Sequence, residues 1–149
     1  ALAGLASGNT IYGTGYYDAK AILEGRGESS FAYGFLKLIA TVLSYASGIP
    51  GGIFAPSLAT GAGFGMNLSV LFPLVSTGAM VVMGMVAYFA GVVQAPITAF
   101  VIVMEMTDNH DMIIPLMVAA MSAHAASKLV CPTSLYHTLS LNFLPRRLR

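Results

Sequence analysis

The chain reads as a series of apolar runs broken by short punctuation. The runs fill residues 31 to 46, 53 to 76, 79 to 93, 95 to 106 and 112 to 131. A straight spanning helix needs about 20 apolar residues, and several of these runs fall short. Glycine and proline interrupt them: Gly48, Pro50, Gly51, Gly52 and Pro56, then Pro73, Pro96 and Pro115. Backbone exposed to lipid cannot stay unpaired, so broken helices persist only where protein buries them or a cavity solvates them. Short, interrupted apolar segments point to an intramembrane binding site. The pattern predicts an all-α, polytopic transmembrane bundle of broken, tilted helices, not a single anchor.

Residues 1 to 30 differ, with six glycines and five charged residues. Within them "YYDAKAILEG" predicts a short amphipathic helix, with Gly25 as its C-terminal stop. Residues 1–30 are therefore expected to be a loop on the membrane surface, 31–141 the membrane domain, and 142–149 a basic tail. The chain starts without Met or a charged leader, and is expected to begin mid-protein. Small residues recur four apart at Gly61 and Gly65, Ala87 and Gly91, Ala119 and Ala123, Ser122 and Ala126. That spacing lets helix backbones approach closely in a bilayer.

Composition sharpens the membrane reading. Of 149 residues 56% are hydrophobic and 9% charged, against about 25% charged in an ordinary soluble domain. No Asp, Glu, Lys or Arg occurs in the 67 residues from Leu38 to Met104. The net charge of +1 says nothing about nucleic acid, but no basic patch is interleaved with aromatics, and no nucleic-acid partner is expected. Arg146, Arg147 and Arg149 place the C-terminus in the cytoplasm by the positive-inside rule. The single cysteine, Cys131, excludes an internal disulfide and suits small-residue packing.

The break "SGIPGGIFAPS" at 47–57 lies inside the uncharged stretch. Gly51 and Gly52 free the backbone to turn, and Pro56 suits the first turn of a helix because it has no N–H to lose. A helix starting between Gly52 and Phe54 would leave its first amides unpaired and its positive dipole end within the membrane. Such a terminus can hold an anion without lysine or arginine, and weakly enough to release it. A glycine hinge that lets helices cross is the plainer alternative. In "CPTSLYHTL" at 131–139, Pro132 stops one helix, and Thr133 or Ser134 can cap the next, with Tyr136 in its first turn. The Tyr136 hydroxyl could donate to an anion, or the ring could belong to an interfacial aromatic belt.

Three blocks carry a resemblance: "SGIPGGIFAPSLATGAGFG", "GVVQAPITAFVIVMEMTDN" and "SLYHTL", in that order. The first contains Gly52, Ile53, Phe54, Ala55 and Pro56, which resembles the Gly-x-Phe-x-Pro signature of the CLC family of chloride channels and chloride–proton exchangers. The likeness runs from about Phe31 to Leu141. It implies that the chain is part of the second inverted repeat of a CLC-type fold, the C-terminal portion of the membrane domain, and that it moves chloride. By resemblance, the amides of Ile53 and Phe54 and the Tyr136 hydroxyl bind the chloride. Segments 95–106 and 112–130 would contribute to a homodimer contact, and the upstream half would be needed for a pathway. The gating motif Gly-Arg/Lys-Glu-Gly-Pro does not occur, since "EGRGESS" at 24–30 is a surface-loop charge cluster. Both glutamates that separate channel from exchanger would lie upstream. "SGIP" also resembles the family's first signature, but it runs straight into the second, so Ser47 receives no chloride role.

Other residues weigh less. Lys37, within an apolar run, could raise the potential for anions or snorkel to the interface. Glu105, Asp108, His110 and Asp111 fit a solvated turn better than a metal site, with Asp108 or Asp111 suited to the next helix start. His124 is expected to be a hydrogen-bonded packing residue, and His137 could tune the site beside Tyr136. No cofactor, metal or covalent chemistry is expected. The expected setting is the lipid bilayer of the cell's inner membrane, multi-pass. Two rivals remain: a non-transporting assembly element that supplies a dimer contact, and an unrelated secondary transporter of organic anions.

Overall fold

The computed structural model describes residues 13–24, 32–48, 51–108 and 110–135. Those residues form six α-helices and one 3-10 turn, and no strand occurs among them. The helices are α1 (Tyr16–Leu23), α2 (Tyr33–Ala46), α3 (Phe54–Ser69), α4 (Thr77–Val93), α5 (Pro96–Thr107) and α6 (Ile113–Val130), with the turn at His110–Met112 before α6. Four of the five apolar runs end close to their helices, and the all-α architecture stands.

α4 is the central helix and packs against α1, α3, α5 and α6. Its tightest partner is α3. A Cβ on Gly61 would lie 2.6 Å from the Gly84 carbonyl, and one on Gly84 would lie 2.5 Å from the Gly61 carbonyl. A Cβ on Gly65 would run into the Met80 carbonyl. The Gly61 and Gly65 spacing therefore marks backbone-to-backbone packing, completed by Gly84 from the facing helix. On the opposite side, Gly34 of α2 meets Gly63 of α3, where an added Cβ would lie 2.8 Å from the Gly34 Cα. The core between these elements is wholly buried Ala59, Ala62, Val81, Val86, Ala90, Ala99, Val103, Leu116 and Ala120.

α1 joins this core. Ala19 and Ile22 are buried while Tyr16 and Tyr17 are exposed, the one-sided burial expected of an amphipathic helix. Gly25, its predicted stop, lies outside the described residues. The apolar run 53–76 outlasts its helix. α3 ends at Ser69, and Val70, Leu71, Phe72 and Leu74 follow in an exposed turn around Pro73. Apolarity alone does not keep a helix going where proline ends it. Ser76 then caps α4, accepting from the Ala79 amide at 3.3 Å. Ser76→Ala should lower stability by about 0.5–1 kcal/mol, read as an earlier denaturant midpoint of the purified protein.

Two smaller readings are refined. Of the two candidates for the next helix start, Asp108 instead closes α5 in a left-handed conformation (φ 49°), while Asp111 lies in the turn that leads into α6. His124 packs without the expected hydrogen bond, its Nδ1 being buried with no partner among the described residues.

The run His110–Val130 spans 21 residues at mean hydropathy 1.5, long and apolar enough to cross a bilayer. Only 11% of its 18-residue apolar window is buried within the chain, whereas the core helix of a soluble protein is mostly buried. α2, α4 and α5 are apolar but shorter.

Candidate functional site

α3 begins where the glycine-proline break ends. Ile53 is its N-cap, with helical backbone angles and no side-chain cap. An aliphatic residue offers no oxygen to the first amides, so the terminus is left with its donors and the positive end of the dipole. The first amide to reach a backbone acceptor is that of Ser57, to Ile53 O at 3.1 Å. Pro56 has no N–H to contribute, so the donors concentrate on Ile53, Phe54 and Ala55. Gly52, Ile53, Phe54, Ala55 and Pro56 are thus brought together at one helix start.

The surroundings hold that start in place. Ile53 is buried, and the Phe54 ring meets the Phe89 ring of α4 edge-on, centroids 5.0 Å apart. The Tyr45 hydroxyl donates to Gly51 O at 3.1 Å, tying the end of α2 to the break. Gly48 turns the chain with φ 74°. Gly52 has no positive φ, and a Cβ there would meet nothing within 4 Å. Its lack of a side chain answers to no neighbour among the described residues. Residue pattern does not single out Tyr45 or Phe89, because their partners lie on other elements.

A cavity of about 330 Å³ opens against the first turn of α3. Phe54, Ala55 and Leu58 line one wall, Tyr16, Lys20 and Leu23 of α1 another, and Met106 and Thr107 of α5 a third. Lys20 lies 3.9 Å from Glu24 at its rim, an exposed pair that leaves little net charge there.

Lys37 does not snorkel. It is 1% exposed, and its Nζ donates to Gly13 O at 2.9 Å. Gly15, at φ 75°, is wedged between the Lys37 side chain and Ala59 of α3. The Lys37 side chain is thus held close to α3 by the Gly13–Gly15 turn. Ser47 is occupied otherwise, its hydroxyl donating to Ser44 O at 2.6 Å. Among the described residues no cluster of His, Cys, Asp or Glu could hold a metal; Asp108 and His110 pair at 3.4 Å on the surface. Tyr136 and His137 lie outside the described residues. The chain leading to them is described: α6 ends at Val130, Cys131 is extended, and helix resumes at Leu135 after Ser134.

Comparison with known proteins identifies the family. A family model described as voltage gated chloride channel matches residues 1–128. The match begins upstream of Phe31, so it takes in α1 as well. The H(+)/Cl(-) exchange transporters ClcA of Salmonella arizonae, Salmonella paratyphi B and Salmonella newport are each 38% identical over 117 residues, 74% of this chain and 25% of theirs. The chain thus spans about a quarter of the length of the curated relatives it matches. With most of its length matched and a helix opening at Gly-Ile-Phe-Ala-Pro, the chain belongs to the voltage gated chloride channel (CLC) family, a family of integral membrane transport proteins.

Proposed function

We propose that the chain supplies part of a transmembrane chloride pathway. The amides of Ile53 and Phe54 and the hydroxyl of Tyr136 receive the ion. The observation that carries this reading is the start of α3: a helix N-terminus with unclaimed amides inside 67 uncharged residues. Chloride gives up water for these donors, and their partial charges bind it loosely enough for release. Lys37 adds positive potential from behind the helix. Tyr136 lies beyond the matched residues 1–128, so its role rests on the "SLYHTL" motif. The curated relatives are named as H(+)/Cl(-) exchangers, which supports proton-coupled exchange in the full-length parent. The process is transport without covalent chemistry, so the chain acts as no enzyme.

The upstream half of the transporter completes the pathway, and two copies pair. α5 and α6 supply the pairing surface: Ile97, Val101, Ile114, Val118 and Met121 lie exposed along them. The expected setting is multi-pass in the cell membrane, with the C-terminus in the cytoplasm.

The test is chloride efflux from liposomes with internal pH recorded, for the 149 residues and for the full-length parent. The parent should carry chloride against protons, and the 149 residues alone should carry none. Tyr136→Phe should weaken chloride binding by the parent roughly tenfold, the worth of one hydrogen bond to a charged group. Chloride-insensitive flux of organic anions would overturn the reading.

A further inference from the structure

We propose that the turn between α3 and α4, residues 70 to 75, is a lipid-contact element seated among the acyl chains near the bilayer boundary. The inference is independent of the chloride ligands. The turn reads Val70, Leu71, Phe72, Pro73, Leu74, Val75. Leu74 is fully exposed, and Val70 and Leu71 are 76% and 72% exposed. Phe72 and Val75 are exposed as well. Five large apolar side chains thus form one unpartnered run at the tip of the α3–α4 hairpin. A contiguous run of this kind marks contact with a membrane or another protein, not with water.

Backbone is the obstacle to placing a turn in lipid, because no water is there to pair a free N–H. This turn removes most of that obstacle by itself. The Leu71 amide donates to Leu68 O at 3.0 Å, that of Phe72 to Ser69 O at 3.3 Å and that of Val75 to Phe72 O at 3.1 Å. Pro73 has no N–H to satisfy. The Leu74 amide is the one donor of residues 71 to 75 without an acceptor among the described residues. The flanking serines are paired inward too. Ser69 Oγ donates to Met66 O at 2.7 Å, and Ser76 Oγ accepts from the Ala79 amide at 3.3 Å. A turn in water has no need of this self-sufficiency, since solvent pairs its polar groups.

Two observations favour lipid over a second protein surface. Where helices of this chain press together, glycines carry the contact: Gly61 and Gly65 of α3 against α4, Gly84 in return, and Gly63 against Gly34 of α2. Protein contacts within a bilayer use small residues in this way, and residues 70 to 75 include no Gly, Ala or Ser. The second observation is length. The 16 residues of α3 and the 17 of α4 rise about 24 and 26 Å. A hydrocarbon core is about 30 Å thick, so neither arm can hold both of its ends clear of the lipid. The nearest charged residues in sequence, Lys37 and Glu105, are too remote to draw the tip into water.

The experiment uses the full-length protein in phosphatidylcholine vesicles, its native cysteines, Cys131 included, replaced by serine. A nitroxide is attached at Leu74→Cys. Its collisions with oxygen, which concentrates in lipid, are compared with those with a water-soluble nickel chelate. Oxygen should dominate at Leu74→Cys, and the order should invert at His110→Cys, in the polar turn before α6. A label at Leu71→Cys should repeat the Leu74→Cys result and serves where labelling at Leu74 disturbs folding. Leu74→Asp should leave the size-exclusion profile intact, because the side chain it replaces is fully exposed. It should shift the Leu71→Cys label towards the chelate, as the carboxylate pulls the turn out of lipid.

Chelate collisions dominating at both turn positions would place the turn in water. Shielding from both reagents would place it against protein, either the rest of the chain or a second copy. Each of these overturns the inference, as does a Leu71→Cys reading that Leu74→Asp leaves unchanged.

Discussion

Gly65→Val should prevent the parent protein from folding, or leave it so destabilised that no monodisperse species survives extraction. A Cβ at this position would collide with the Met80 carbonyl and lie 2.8 Å from the Val81 Cα. Both are backbone atoms of a helix, so no rotamer change relieves the clash. Forced separation of α3 and α4 would also open the contacts of Gly61 and Gly84 one turn away. Overpacking a tight core costs about 1–3 kcal/mol where side chains can shift, and backbone contact puts this case at or above the top of that range. Size-exclusion profiles and thermal unfolding in detergent would read it. A sharp, wild-type profile for Gly65→Val would mean the two helices do not pack as described.

Gly52→Val should have the opposite signature, with folding intact and chloride transport reduced at least tenfold. Nothing in the described chain lies within 4 Å of a Cβ at Gly52, and its φ is not one that demands glycine. The substituted residue sits immediately before the proposed amide donors. Bulk there intrudes on whatever approaches those donors from outside the chain, the ion above all. Liposome efflux with the parent reads the effect directly, and tenfold corresponds to about 1.4 kcal/mol of lost binding or raised barrier. Wild-type flux from a well-folded Gly52→Val would show that the approach to α3 lies elsewhere.

The contrast between these two glycines shows what the sequence can carry. The spacing of Gly61 and Gly65 announces close packing on its own helix, because a four-residue step is local. Gly84, which completes the contact, has no such signal, since its role depends on the register between two helices. The start of α3 was equally legible, as the glycines and Pro56 bracket it within a few residues. Its end was not, because residues 70 to 75 stay apolar after the helix stops, and a bilayer removes the penalty that would otherwise mark exposed Leu74 as a fault. The sequence leaves two readings open for Lys37, because a four-carbon stem reaches an interface or a nearby carbonyl with equal ease. Only the position of Gly13 O decides for burial. Gln94 Nε2 donates to Cys131 O across 37 residues of sequence, and no local pattern reveals such a contact. For Tyr136 the sequence motif stands alone, the described residues stopping at Leu135.

The unclaimed amides of Ile53 and Phe54 belong to the main chain, and every residue except proline supplies the same N–H. As the proposed recognition element, they would be nearly silent in a mutational scan. Exchange of the Phe54 side chain would register as lost packing against Phe89, and exchange of Ile53 as lost burial, while the donors themselves persisted. Specificity written in backbone is therefore buffered against drift at its own positions. Variants that alter it should surface among the neighbours that aim the backbone, such as Tyr45, Gly52 and Phe89.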